Sequence, residues 1–336
     1  MHRRCSLCDD ASRCGTYVDP RAGKITFREY AETWRLAQVH RPTTREQVEG
    51  SLRRQVYPVL GDRPLVSILP SDIQVWVRRM SEGLQPRTVG MIHGVVSGIF
   101  RAAVRDRKIV ANPCEGTRLP KVTPARIEPL ATETVQRMAE AVSPRWSAFI
   151  VTAAGTGLRQ GELLGLTVDR IDFLRRTLRV DRQLSVVARE APRLTPPKTA
   201  ASVRTVPLPV VVVDALAAHL AEFPAGPDGF VFTDEDGSPV RRANFSRDVW
   251  VPMRSALGLP VSVTCHDLRH DYASLLIRHG ESVKTVQARL GHASAAETLD
   301  TYSHLWPDSD DRTREAINAV LGAERDSGGT AKGGDA

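Results

Sequence analysis

Six residues between Arg159 and Tyr302 have side chains suited to holding and attacking a phosphodiester: Arg159, Lys198, His266, Arg269, His292 and Tyr302. A phosphodiester spreads one negative charge over two non-bridging oxygens, and a trigonal-bipyramidal transition state places more charge on them. Two guanidiniums can clamp those oxygens through paired N–H donors. A phenol can attack the phosphorus, and a lysine or histidine can hand a proton to the departing oxygen. From an ordinary pKa near 10, ionising the phenol at pH 7 costs about 4 kcal/mol, which neighbouring guanidiniums and a proton acceptor would reduce. Strand cleavage by such a set needs no water, metal or nucleotide, so no cofactor and no metal ligand set are expected.

Taken singly, each signal is ordinary. In GLRQGELLGL, Arg159 and Glu162 lie three apart at a helix start and share a face, which lets Glu162 orient the guanidinium. The preceding Gly155-Thr156-Gly157 turn lets backbone approach a ligand closely. HDLRH puts His266 and Arg269 at the i, i+3 spacing of one helical turn, while His270 is expected on a different side of that helix. His292 follows Gly291 where one helix gives way to the next, and Tyr302 comes ten residues later in SAAETLDTYSHLWP. Lys198 sits in the turn window PPKTAASVRT, in which Arg204 is the rival cation.

The elements that must position these residues fall into two groups. Helical periodicity begins at Thr26, with Phe27, Tyr30, Ala31 and Trp34 on one stripe. A second helix is expected from Thr43-Thr44 to Leu60, stopped by Gly61. Ser71-Asp72 opens a third, bearing Ile73, Trp76, Val77 and Met80. Pro86 opens a fourth, bearing Val89, Ile92, Val96, Ile99 and Phe100, and Asn112-Pro113 closes it. The proline-rich LPKVTPARIEP reads as a linker. Beyond it a second domain is expected, with a helix in TETVQRMAEAV, a strand pair in RIDFLRRTLRVDRQLS and a third strand in RTVPLP. Helices should follow near Val210–Phe223, Arg242–Ala256, Asp267–His279, Ser282–Leu290 and Ser294–Tyr302. The organisation expected is a disordered segment over 1–23, a helical domain over 24–118, a linker over 119–129, a second domain over 130–322 and a disordered tail over 323–336.

Composition narrows the partners. The net charge is +7, and the excess is uneven: residues 24–125 hold 17 basic and 9 acidic side chains, residues 126–336 hold 25 and 27. A polyanion gripped by the first half would account for the asymmetry. There is no apolar run long enough for a membrane span and no secretory signal pattern, so the expected location is cytoplasmic. Cys5, Cys8 and Cys14 form C-x2-C-x5-C near His2, yet no second spaced pair and no apolar surround accompany them, so zinc is not expected there. Cys114 and Cys265 read as reduced thiols.

In order and spacing, R-x-x-E within TGLRQGELLGL, a lysine in a hairpin turn, H-D-L-R-H, L-G-H and a tyrosine ending a short helix resemble the tyrosine recombinases, the phage-integrase family. The resemblance covers residues 130–320, and more weakly residues 24–118; GKITFREYAETW resembles integrases of actinobacterial phages and integrative elements. It implies a mainly α fold of two domains: a helical SAM-like core-binding bundle, and a mixed α+β catalytic domain with a small three-stranded antiparallel sheet. It also implies site-specific cutting and rejoining of double-stranded DNA at core sites, to integrate or excise a mobile element. A homotetramer on DNA would act through a 3′-phosphotyrosyl intermediate, with a directionality factor as a possible partner. Tyr302 would be the nucleophile, Arg159 and Arg269 the ligands of the non-bridging oxygens, and Lys198 the acid for the leaving 5′-oxygen. His266 would assist proton transfer, His292 would hydrogen-bond the phosphate and Glu162 would support Arg159. The family's arm-binding domain is expected to be absent before residue 24. The alternatives are a degenerate remnant that only binds DNA and a topoisomerase-like nickase.

Overall fold

The computed structural model describes residues 22–123, 126–186, 190–226, 228–306 and 310–321. The chain folds as two compact units, the first drawn mainly from residues up to 125 and the second mainly from residues from 126 on. The expectations for residues 1–21 and 322–336, with Cys5, Cys8 and Cys14, lie outside the described residues.

In the first unit, α1 (Phe27–Ala37) starts at Thr26, whose hydroxyl accepts from the Glu29 amide while the Glu29 carboxylate accepts from the Thr26 amide. That reciprocal cap satisfies two donors that a helix start otherwise leaves open. α2 (Pro42–Ser51) does not run unbroken to Leu60 as expected. It passes through a widened π-turn, Leu52–Val56, into α3 (Tyr57–Leu60). Pro58 has no N–H for the preceding turn, and the extra residue in that turn accommodates it. Within the widened turn, the Gln55 carbonyl accepts from the Trp76 indole at 2.8 Å. α4 (Pro70–Ser81) and α5 (Pro86–Arg105) complete the bundle. Its core gathers Phe27, Leu52, Leu60, Ile73, Trp76, Val89, Val96, Ile99 and Phe100, with the Phe27 and Phe100 rings 5.2 Å apart. Arg53, Arg54, Arg78, Arg79, Arg87 and Arg101 face solvent.

The second unit opens with α6 (Thr132–Ala141), α7 (Pro144–Thr156) and the short α8 (Gln160–Leu164). Strands β1 (Ile171–Asp172) and β2 (Thr177–Val180) form the expected pair. β3 (Gln183–Ser185) and β4 (Arg193–Thr195) make a separate two-stranded hairpin that the sequence did not announce, because three-residue strands carry too little alternation to register. β5 (Arg204–Pro207) returns to β2, pairing Leu178 with Val206 and Val180 with Arg204, which gives an antiparallel sheet of order β1-β2-β5.

Helices then follow: α9 (Val210–Glu222), α10 (Arg242–Phe245), α11 (Val251–Ala256), α12 (Cys265–Arg278), α13 (Val283–Leu290), α14 (Ala295–Tyr302) and α15 (Asp310–Leu321). A π-turn, Ser246–Trp250, separates α10 from α11 just before Pro252, so the single helix expected over this stretch is again broken beside a proline. α7 is the pivot of the main core, packed by α6, α9 and α12. Its Trp146 and Phe149 rings meet Phe232 and Phe245 edge-on or tilted. A smaller core of Tyr272, Ala273, Ile277, Val286, Leu290 and Tyr302 holds α12, α13 and α14 together. The fold is thus of the mainly helical, two-domain class expected, with the small three-stranded sheet. No described helix is long and apolar enough to cross a membrane.

Candidate active site

Arg159 is placed by two local devices. Gly157 ends α7 in the left-handed region at φ +62°, and a Cβ there would come within 2.4 Å of the Tyr272 ring, so both conformation and space require glycine. The chain then turns, and Arg159 becomes the N-cap of α8. Its backbone amide donates to Glu162 Oε2 at 2.9 Å and its Nη1 to Oε1 at 3.1 Å. Glu162 is buried.

A second guanidinium grips the same carboxylate. Arg204, at the start of β5, donates from Nη1 to Glu162 Oε1 at 3.2 Å and from Nη2 to Oε2 at 2.8 Å. Its Nη1 also donates to the Ser202 carbonyl at 3.0 Å and its Nε to the Arg289 carbonyl at 2.7 Å. Burial pushes the Glu162 carboxyl up, but Arg204 and Arg159 outweigh it and hold the group below the usual carboxylate range. Arg204 is thus buried as a brace that ties α8, the Lys198 loop and the end of α13. Lys198 itself is exposed between β4 and the Ala200–Ser202 turn.

Arg269 is 2% exposed. Its Nη1 donates to the Gly157 carbonyl at 2.7 Å and its Nη2 to the Leu290 carbonyl at 2.6 Å, so α12 is bolted to the ends of α7 and α13. Burial, then Arg159 nearby, brings its pKa down to about 9. Arg159 Nη2 lies 3.5 Å from the Gly291 carbonyl. Gly291 ends α13 at φ +66° and turns the chain toward His292.

The histidines divide by position. His292 is buried, its Nδ1 2.9 Å from Thr298 Oγ1, and its ring lies parallel to that of Tyr302 at 6.4 Å between centroids. Burial and Arg269 hold it at about 4, so the ring is neutral at pH 7. His266, in the first turn of α12, presents an open edge to solvent. The protein packed around its other side, with His270 and Arg269, also holds it at about 4.

His270 corrects the sequence reading. Residues four apart in a helix share a face, and the His270 ring packs edge-on against His266 at 4.7 Å. From there its Nδ1 meets the Tyr302 hydroxyl at 2.7 Å. The i, i+4 spacing in HDLRH was the signal that could have found it.

Tyr302 is the last residue of α14 and 1% exposed. Burial, with Glu297 nearby, pushes its phenol up to about 12 against the opposing pull of Arg269 and Arg159. At pH 7 the resting phenol would cost on the order of 7 kcal/mol to ionise. Among the described residues no cluster of three or more His, Cys, Asp or Glu is arranged to hold a metal ion. A cavity of about 740 Å³ is lined by Trp146, Phe223 and Phe245 among others and by none of the candidate site residues.

The chain matches the model of the phage integrase family over residues 126–308 and that of the phage integrase central domain over residues 26–119. A tyrosine recombinase XerC-like protein of Caldanaerobacter subterraneus subsp. tengcongensis is 29% identical over 331 residues, covering 88% of this chain and 84% of the relative. The integrase of Mycobacterium phage L5 is 28% identical, covering 81% and 74%. Among solved structures, the Tn1549 transposon integrase in complex with circular intermediate DNA superposes with a TM-score of 0.74 at 25% identity, over 88% of this chain and 100% of that one. A lambda integrase dimer bound to a core site shares the fold at 19% identity and a TM-score of 0.68, over 91% and 84%.

Proposed function

This chain belongs to the phage integrase family and is a site-specific DNA recombinase that cuts and rejoins strands by transesterification, and from that premise we propose how its own residues do so. Tyr302 attacks the phosphorus and forms a 3′-phosphotyrosyl link, releasing a 5′-hydroxyl. Arg159 and Arg269 hold the non-bridging oxygens, where charge builds in the transition state. Lys198 gives a proton to the leaving 5′-oxygen and His266 assists proton transfer. Neutral His292 donates a hydrogen bond to the phosphate, and Glu162 keeps the Arg159 fork oriented.

The observation that carries this assignment is geometric: the Tyr302 ring lies parallel to that of His292 and its hydroxyl meets His270 beside Arg269, while Arg269 and Arg159 both reach the Leu290–Gly291 carbonyls that lead into His292. A phosphotyrosyl ester keeps the energy of the broken bond, so joining to a new 5′-hydroxyl needs no nucleotide. The basic bundle over 24–118 would grip the core site, with 119–129 as linker and 130–322 as the catalytic part. Lambda integrase is known as a dimer on a core site and a tetramer on a Holliday junction. A homotetramer joining two duplexes is the matching assembly here, working in the cytoplasm, with a separate factor to set direction.

The test is a nicked suicide duplex whose short strand diffuses away after cleavage. Wild type should become covalently attached, with the adduct mapping to Tyr302. Tyr302→Phe should bind the duplex with nearly unchanged affinity and form no adduct. An adduct on any other residue overturns the assignment.

A further inference from the structure

The geometry points to His270 as a further catalytic residue, the base that takes the Tyr302 phenolic proton as the phenol attacks phosphorus. The inference rests on Tyr302 being the nucleophile. Its ground is the 2.7 Å contact between His270 Nδ1 and the Tyr302 hydroxyl, the only hydrogen bond described for that oxygen. A base within about 2.6–3.2 Å of the proton it takes meets the first requirement of general base catalysis.

The other two imidazoles are disposed differently. His292 lies face to face with the Tyr302 ring, and its Nδ1 pairs with Thr298. His266 touches the edge of His270, one turn earlier along α12, and no hydrogen bond to the phenol is described for it. His270 also follows Arg269 directly in sequence, so one rigid helix carries both the base and a ligand of the phosphate.

With the proton of the neutral ring on Nε2, Nδ1 accepts from the phenol. Burial, with Arg269 opposed by Asp267, keeps this ring below the ordinary histidine range and hence unprotonated at pH 7. The groups around it are Tyr302 from α14 and His266, Asp267 and Arg269 from its own helix. The elements packed on α12 also carry Arg145, Lys284, Arg289 and His304, of which His304 pairs with the Ile127 carbonyl at 3.0 Å.

The step balances. The Tyr302 O–H bond breaks and its proton goes to His270 Nδ1. The freed electron pair on the phenolic oxygen forms the bond to phosphorus. The bond from phosphorus to the 5′-oxygen breaks, and that oxygen leaves with the pair and takes a proton from Lys198. On rejoining, the 5′-hydroxyl returns its proton to Lys198 as it attacks phosphorus, and the imidazolium returns its proton to the departing phenol.

The experiment measures single-turnover adduct formation between pH 5 and 10. The probe is a nicked suicide duplex carrying the core site that wild-type protein selects from random-sequence duplexes by covalent capture. Wild type should show an acidic limb with a midpoint below 6.5 and then a plateau. His270→Asn keeps an acceptor for the phenol but cannot take its proton. It should bind the duplex normally and react about 10²-fold more slowly at pH 7, with a residual rate that climbs about tenfold per pH unit to pH 9 or beyond. A duplex with sulfur at the 5′-bridging position, whose leaving group needs no proton, should restore Lys198→Ala but not His270→Asn.

A rate for His270→Asn within about threefold of wild type overturns the inference. So does a uniform loss at every pH, which marks packing alone, and so does rescue by the sulfur-bridged duplex. Should His270→Asn and His270→Gln both melt at room temperature, the wild-type profile decides: a rate that keeps climbing about tenfold per pH unit to pH 10 with no plateau means the phenol titrates unaided and overturns the inference. An adduct formed by Tyr302→Phe would instead overturn the nucleophile assignment, and so separates the two failures.

Discussion

Arginine does different physical work in the two units. In the first, Arg35 is enclosed by Glu32 and Glu49 but other arginines lie on the surface: Arg53 pairs with Glu49 at 2.8 Å and Arg28 with Asp62 at 3.0 Å, with those two side chains 66% and 44% exposed. Such pairs contribute little to stability, because water screens them and ordering two long side chains costs entropy. In the second, Arg204 and Glu162 meet with side chains only 5% and 2% exposed, and Arg269 is sealed among backbone carbonyls. There the low dielectric makes every donor count, and a missing partner would leave a buried charge uncompensated. The first set suits a polyanion that binds and leaves; the second suits a transition state that must find its donors already aimed.

The sharpest test of that contrast is conservative substitution in the buried set. Arg159→Lys and Arg269→Lys keep the charge but lose the planar fork, and each should cut adduct formation on the suicide duplex by about 10²–10³-fold. Near-normal rates would show that charge alone suffices. Next in size, Arg204→Met removes one partner of the buried pair and should destabilise the chain by about 3–5 kcal/mol in urea melts. Arg53→Ala, by contrast, should stay within about 0.5 kcal/mol. Equal losses for the two would erase the distinction.

Acidity sharpens it further. His292 takes up a proton at about 4 in the folded chain against 6.5 ordinarily, so the unfolded chain binds more protons between those values. The stability contributed by keeping this ring neutral is complete above about 6.5 and is lost as pH falls toward 4. Glu162, held below its ordinary 4.5, contributes above that value and fails as pH falls through its folded pKa. Melting temperature should therefore decline from pH 7 to 4, and His292→Gln should flatten the upper part of that decline. A flat wild-type profile would mean these groups are not sequestered. The smallest effect belongs to the surface set. Changing Arg78, Arg79, Arg87 and Arg101 to Gln should lower the salt slope of DNA binding by up to about one unit per phosphate contact, leaving cleavage of saturated duplex intact. An unchanged slope would place the grip elsewhere.

Local signals were legible where local physics sets them. The helix starts at Thr26 and Pro86 and the strand pair within RIDFLRRTLRVDRQLS each depend on neighbours within a few residues, and each is where the pattern put it. The two π-turns beside Pro58 and Pro252 were missed because proline's missing donor announces a disturbance without saying whether the helix stops or widens. The short β3–β4 hairpin was missed because its strands span too few residues.

By itself the sequence determined the chemical kit, the family it resembles and the order in which the helices carry the kit. Only the tertiary structure decided the rest: that Tyr302 comes within the field of both guanidiniums of its own chain, that Arg204 is a brace, and that His270 rather than His266 meets the phenol. Residue type and spacing fix which groups a helix can present. Which groups meet across α8, β5, α12 and α14, and how far burial moves their protons, depends on contacts between residues more than a hundred apart, as in the approach of Arg159 to Gly291, 132 residues on. No pattern within one helix can encode those.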